Sequence, residues 1–449
     1  MGRLFGTDGA RGVANTELTA ELAMNIGRAA AIVLVNDEVK HPTILIGKDT
    51  RLSGDMLEGA LIAGLCSVGA NVKLLGVVPT PAVAYLVKKY NADAGVMISA
   101  SHNPFEFNGI KIFSSEGYKL PDDLENRIEE IVLDHAVPYA TANDGEIGRV
   151  DTLESAVDDY INHVAEAVGE DLSGMEVALD CSNGSSSRTA EKLFTKLGVK
   201  VHMLFDEPDG ININKDCGST HTKKLQEYVR KNKLSAGLAF DGDADRCLAV
   251  DENGNLVDGD FLIAICANDM MKNGKLKKNT AVGTVMTNMG FSKFCEANGI
   301  DFVSTKVGDR YVLESMLQNG YNIGGEQSGH IIFLDHSTTG DGELSGAMVL
   351  SIMKRTGEKL SDLAKIMERY PQVLINVKVS NEGKLSFYTD KEVKAEINRV
   401  TEILGDTGRI LVRVSGTEPL VRVMLEGENL EQIQTLAEEA AQVVRERLA

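Results

Sequence analysis

The chain has 449 residues, more than one hydrophobic core usually organises, and 43% of them are hydrophobic, so three or four domains are expected. Its 66 acidic and 46 basic residues leave a net charge of −20, which argues against a nucleic-acid partner or an anionic membrane and requires any phosphate site to be built locally. Cys66, Cys181, Cys217, Cys247, Cys266 and Cys295 are scattered without a C-x-x-C pair, as reduced thiols of a cytoplasmic protein would be. No secretory signal opens the chain, the apolar run 29–35 is too short to span a bilayer, and a soluble, unprocessed protein is expected.

Three stretches repeat one order: apolar strand, polar turn, helix, strand, helix, strand, functional loop, strand. In the first, strands are expected at 43–47, 71–78, 94–98 and 109–113, with helices at 56–68 and 81–90 and the turn Lys48-Asp49-Thr50-Arg51-Leu52-Ser53-Gly54. A polar, turn-rich segment, 134–148, reads as a linker. In the second, strand 175–179 leads through Asp180-Cys181-Ser182-Asn183-Gly184 to helix 187–197, strand 200–204, helix 223–231 and strand 236–240. The third runs through strand 281–285, helix 291–298 and strands 302–304 and 321–323. A different region begins at Tyr370-Pro371, with strands 373–379, 409–414 and 420–425, a helix 390–404 and a terminal amphipathic helix 430–448. The fold class is therefore α/β, three structurally repeated α/β domains with mixed sheets at 1–150, 151–255 and 256–369, followed by an α+β domain at 370–449.

Each repeat places its chemistry after the third strand, at the carboxyl edge where open α/β sheets bind ligands. The first such loop, Ser99-Ala100-Ser101-His102-Asn103-Pro104, offers Ser101 as a nucleophile displayed at a sheet edge, with His102 and Lys111 near enough in sequence to supply a base or charge stabilisation. Ser99, closer to the strand, is the poorer candidate. In the second loop Asp241, Asp243 and Asp245 alternate, and their carboxylates converge if the backbone turns at Gly242 and Ala244; three hard oxygen ligands suit Mg²⁺. A calcium loop is the rival, since Glu252 falls at its twelfth position, but Arg246 stands where that loop needs Gly. The third loop, Gly325-Glu326-Gln327-Ser328-Gly329-His330, presents Glu326 and Ser328 to vicinal sugar hydroxyls and His330 as an acid or base. Near the C-terminus Arg413, Ser415, Gly416 and Thr417 form a phosphate cradle, with Arg422 across the same turn. No nucleotide-binding Gly motif is present, so phosphate comes from the substrate or the enzyme.

Together these motifs resemble the α-D-phosphohexomutase superfamily, and within it the bacterial phosphoglucosamine mutases. The resemblance covers the chain from Phe5-Gly6-Thr7-Asp8-Gly9-Ala10-Arg11-Gly12 to Arg413-Val414-Ser415-Gly416-Thr417-Glu418-Pro419; Gln327 and the Ile98-Ser99-Ala100-Ser101 spelling resemble the glucosamine branch. It implies four domains around a central cleft, a phosphoserine at Ser101, and Mg²⁺ held by Asp241, Asp243, Asp245 and the serine phosphate. It implies interconversion of glucosamine-6-phosphate and glucosamine-1-phosphate on the route to UDP-N-acetylglucosamine, with Gly308, Glu326, Ser328, Arg413, Ser415, Gly416 and Thr417 binding substrate. Arg246 and Lys111 are expected to stabilise charge, and Arg11, Lys111 and His330 to manage the hydroxyl proton. The resemblance leaves room for a homodimer. Ala244 replaces a commoner Gly, and Phe105-Glu106-Phe107 is an uncommon spelling. Two other classes use the same residues: a haloacid-dehalogenase-like enzyme with Asp241 as nucleophile, and a sugar-phosphate sensor without turnover.

Overall fold

The run Ala-Gly-Val-Met-Ile is buried at every position because it forms an inner strand, Ala94–Ile98, covered on both faces. It comes from the computed structural model of the protein, which describes residues 3–6, 8–34, 41–136, 141–415 and 419–449. These form two units, Met1–Thr284 with Ile300–Ile366, and Val285–Gly299 with Met367–Ala449.

The first unit holds three mixed sheets with one topology. In each, the first strand lies between the second and the third in parallel, and the third turns back into an antiparallel fourth. Thr43–Lys48 sits between Asn71–Val77 and Ala94–Ile98, which pairs antiparallel with Phe107–Ser114. Glu176–Asp180 sits between Lys200–Leu204 and Ala236–Phe240, which pairs antiparallel with Cys247–Val250. Thr280–Thr284 sits between Asp301–Thr305 and Ile323–Gly325, which pairs antiparallel with Ile331–Phe333. The three candidate loops are thus the three connections from parallel strand to antiparallel partner, at the strand carboxyl ends as expected.

Alternating and continuous apolar patterns explain the layers. Helix Ala20–Leu34 buries Ala23, Ile26, Ala30 and Val33 against helix Gly54–Ser67 and the first sheet, in one continuous hydrophobic cluster. Two expected elements differ. The helix read at 187–197 is a 3₁₀ turn, Ser185–Arg188, followed by helix Ala190–Lys196. The strand read at 321–323 is Ile323–Gly325, because the Tyr321 N–H still bonds to Met316 O at the end of the preceding helix.

The second unit is a three-stranded antiparallel sheet, Gln372–Lys378, Leu420–Gly427 and Gly408–Val414, covered by helices Lys391–Leu404 and Leu430–Leu448, as an α+β domain requires. Helix Met289–Asn298 belongs to it: Asn288 Nδ2 donates to Tyr370 O at 3.0 Å and to Glu426 Oε1 at 2.6 Å.

Candidate active site

Ser101 follows its strand by three residues and takes φ of +52°, the left-handed region that L side chains rarely adopt. It is buried, only 1% exposed, rather than displayed at an open sheet edge as the sequence suggests. The reason is tertiary: the aspartate loop of the second sheet closes over it. Gly242 permits that approach, since a Cβ there would stand 2.5 Å from Ser101 O. The Ser101 hydroxyl donates to Asp241 Oδ2 at 2.6 Å and lies 3.3 Å from His102 Nδ1.

Asp241, Asp243 and Asp245 are all buried and offer carboxylate oxygens within 4.8 Å of one another. Ala244 makes the turn with φ of +55°. The segments on either side are strands, Ala236–Phe240 and Cys247–Val250, so the helix-loop-helix of a calcium hand is absent here. Asp243 Oδ1 and Asp245 Oδ1 are buried with no hydrogen-bond partner. Orphaned, buried, all-oxygen donors fit a hard divalent cation. Burial, then Asp245 and Asp243, push the Asp241 carboxyl well above its ordinary pKa, which is the electrostatic cost such a cation would remove.

Basic groups converge on the same carboxylates. Lys111 Nζ lies 2.7 Å from Asp243 Oδ2, 3.4 Å from Asp8 Oδ2 and 3.5 Å from Asp245 Oδ2. Burial opposes its charge, but Asp243, Asp8 and Asp245 outweigh burial and raise its pKa. The Arg11 guanidinium binds Asp8. Arg246 donates its N–H to Asp241 Oδ1 at 3.1 Å, and its Nη1 meets His102 Nδ1 at 3.1 Å. Burial, then Arg246 and Arg11, lower the His102 pKa to about 4, so its ring is neutral and Nδ1 accepts. His330 Nδ1 is 3.6 Å from Asp245, while its Nε2 accepts the Gly340 N–H at 3.1 Å and lies 3.5 Å from Asp309.

In the third loop Glu326 Oε1 accepts the Gly308 N–H at 3.0 Å, joining two expected substrate residues directly. Ser328 Oγ is buried without a partner. Gly329, with φ of +91°, is required because a Cβ there would lie 2.2 Å from Cys247 O. Ser101, His102, Lys111, Arg11, Arg246, His330 and the three aspartates are joined with Asp8 in one network in the first unit, toward which Glu326 is drawn by the charge of Arg246.

Three members of that network were not singled out by sequence reasoning. Asp8 was legible only as part of an N-terminal motif. Thr80, which donates to Asp243 Oδ2 at 2.6 Å, and Lys119, which bridges Asp8 at 2.6 Å and Asp309, carry no local signal. Of the expected cradle, in the second unit, Arg413 is half-buried on the strand Gly408–Val414 and Ser415 is buried, its N–H donating to Leu420 O at 2.8 Å. Gly416 and Thr417 lie outside the described residues. Among the described residues no helix is long and apolar enough to cross a membrane.

Over 448 residues the chain is 56% identical to a phosphoglucosamine mutase of Acetivibrio thermocellus, covering 100% of each chain. It is 55% identical over 447 residues to one of Clostridium novyi, covering 100% of this chain and 99% of that one. Among solved structures, a phosphoglucomutase/phosphomannomutase family protein of Burkholderia thailandensis superposes with a TM-score of 0.82 at 23% identity, covering 100% and 99%. An Aspergillus fumigatus N-acetylphosphoglucosamine mutase, solved with GlcNAc-6P and magnesium, gives 0.72 at 18%, covering 100% and 96%. Residues 2–136, 158–254 and 258–370 match the phosphoglucomutase/phosphomannomutase alpha/beta/alpha domains I, II and III, and 374–443 match the C-terminal domain. With all four domains matched in order, the chain belongs to the phosphoglucomutase/phosphomannomutase family.

Proposed function

We propose that the chain is a phosphoglucosamine mutase, interconverting glucosamine-6-phosphate and glucosamine-1-phosphate through a phosphoserine at Ser101 and a bound 1,6-bisphosphate, on the route to UDP-N-acetylglucosamine and cell-wall precursors. Full-length relatives of that name support the substrate. The observation that carries the chemistry is the Ser101 hydroxyl, 2.6 Å from Asp241 and beside two further buried carboxylates with orphaned oxygens.

In the forward step the phosphoryl group leaves Ser101 Oγ for a sugar hydroxyl oxygen: one P–O bond breaks, another forms, and the hydroxyl proton is taken up. The resulting bisphosphate reorients and returns its other phosphoryl group to Ser101, so the enzyme is regenerated and no external donor is consumed. Such transfer rests on positioning and charge stabilisation. Arg246 and Lys111 supply fixed positive charge. Lys111 is held as a cation by three carboxylates, and the Arg11 guanidinium does not deprotonate. His330, with a ring nitrogen able to exchange a proton, is the member of the three suited to carry it. Glu326, Gly308 and Ser328 orient the sugar, and Arg413, Ser415, Gly416 and Thr417 grip the phosphate that is not reacting. Asp241, Asp243, Asp245 and the serine phosphate would hold Mg²⁺, which when bound neutralises charge on the transferring phosphoryl oxygens.

Six free cysteines fit a cytoplasmic enzyme, and sedimentation of the purified protein tests the homodimer. The decisive measurement is peptide mapping of the phosphorylated protein, together with kcat/KM for glucosamine-6-phosphate, glucose-1-phosphate and mannose-1-phosphate. Phosphate on Ser101, stable to hydroxylamine, and preference for the amino sugar are expected. An acyl phosphate on Asp241 or preference for a neutral sugar would overturn the assignment.

A further inference from the structure

The turn Lys48-Asp49-Thr50-Arg51 takes no part in the chemistry above, yet the side chains of Asp49 and Arg51 are both fully buried. Burying an ion pair is costly unless its remaining donors and acceptors are satisfied. A guanidinium has five N–H donors, and here each has an acceptor. Arg51 Nε donates to Asp49 Oδ2 at 2.9 Å, Nη2 to Ser101 O at 2.9 Å and Asn103 O at 2.8 Å, and Nη1 to Phe107 O at 2.9 Å and to Pro104 O. Apart from Asp49, every acceptor is a backbone carbonyl of the loop that carries Ser101 or, at Phe107, of the first strand residue after it.

The other side of that loop is tied as well. Asp49 Oδ2 accepts the Ser99 hydroxyl at 2.6 Å, and Ser99 Oγ accepts the Ser101 N–H at 2.9 Å. From the second sheet's side, Asn214 Nδ2 donates to Ser101 O at 2.9 Å and Asn103 O at 3.0 Å. Both backbone groups of Ser101 are therefore fixed, its N–H through Ser99 to Asp49 and its C=O by Arg51 and Asn214. That matters because Ser101 sits at φ of +52°, a conformation that persists in a serine only when its surroundings over-determine it.

We infer that Arg51, with Asp49, Ser99 and Asn214, is a positioning residue for phosphoryl transfer: it clamps the Ser101 backbone in the left-handed conformation that keeps Oγ against Asp241. The inference rests on reading Ser101 as the phosphate carrier. A lysine at 51 would keep the charge but bring three donors from one point, and could not replace a planar fork that serves five acceptors.

The test uses full-length, Mg²⁺-loaded protein freed of phosphate and mixed with glucosamine-1,6-bisphosphate, with Ser101 phosphorylation followed by quenching and intact mass. In that step the phosphoryl group moves from a sugar oxygen to Ser101 Oγ, and the serine proton ends on the sugar oxygen. Arg51→Lys is expected to slow it by about 10- to 100-fold, the scale of a misplaced reacting atom, with kcat falling in step while KM stays within about twofold. Asn214→Ala, which removes one of two donors to the same carbonyl, should act in the same direction by about three- to tenfold. A wild-type rate in Arg51→Lys, or a rise in KM without loss of rate, overturns the inference alone. If Arg51→Lys fails to fold by circular dichroism, Asn214→Ala decides it, and a wild-type rate there overturns it. Absence of phosphate on Ser101 in the wild-type protein brings down the mutase reading and this inference with it.

Discussion

Arg413 and Arg422 are direct partners in the antiparallel pairing of Gly408–Val414 with Leu420–Gly427, so two guanidinium side chains leave one face of that sheet side by side. Like charges directly opposite one another are destabilising. Burial, then Arg422, lower the Arg413 pKa, a strain that a bound phosphate would relieve under the proposed cradle role. Arg413→Ala should raise KM for the sugar phosphate by about 10- to 100-fold, as expected for one charge-assisted hydrogen bond. Its thermal midpoint should not fall, and Ser101 should still take up phosphate. Unchanged kinetics would make Arg413 an ordinary surface residue.

Removal of metal gives a second prediction. With a chelator, turnover should be lost while far-UV circular dichroism is retained, and the thermal midpoint should drop by the linked binding energy alone. Mg²⁺ should restore activity and Ca²⁺, larger and less demanding of octahedral geometry, should not. Asp243→Asn should lower kcat by at least about 100-fold, because Asp243 also receives Lys111 and Thr80 on Oδ2. Full activity in chelator would count against the carboxylate site.

Asp341 offers a pH-dependent test of stability. It caps helix Gly342–Thr356, accepting the Leu344 N–H at 3.0 Å and the Tyr160 hydroxyl at 2.8 Å on Oδ1. Burial nevertheless raises its pKa to about 6. Because the folded protein holds this proton more tightly than the unfolded chain does, the protonated carboxyl contributes stability below about pH 4 that is lost as pH rises to about 6. Asn at this position keeps the Oδ1 acceptor and does not titrate. The stability of wild type relative to Asp341→Asn should therefore decline between those limits, by about 1–3 kcal/mol, and level off above. A flat difference in unfolding measured from pH 4 to 7 would refute the raised pKa.

Ala244 supplies a fourth. Its φ of +55° lies in the left-handed region that favours glycine, where an alanine costs about 1–2 kcal/mol. Ala244→Gly relieves that strain while making the unfolded chain floppier by about 0.4–1 kcal/mol. The variant should match or slightly exceed wild-type thermal stability and keep kcat within about twofold. A loss of more than about 2 kcal/mol would show that the methyl group is needed for packing rather than merely tolerated.

Short-range patterns in the chain establish its elements and its inventory of chemistry. Apolar runs such as Ala94–Ile98 and Ala236–Phe240, five residues long and followed by polar turns, read as inner strands, and helix Leu430–Leu448 follows from its 3.6-residue apolar spacing. Alternation of Asp241, Asp243 and Asp245 at a strand end already implied an oxygen-rich metal site. These are short-range patterns, set by backbone period and side-chain type within a few residues. What those residues touch depends on how distant segments pack. Ser101 is buried because a loop 140 residues away in sequence accepts its hydroxyl. Arg51, in sequence part of an ordinary turn, finds four carbonyls between Ser101 and Phe107, and Lys119 bridges Asp8 to Asp309. Sequence spacing carries no record of such meetings, since sheets related by the same topology bring their loop ends together only when they pack. A buried cation in particular is legible only once its acceptors are in place, because the cost of desolvation is offset by partners drawn from distant segments.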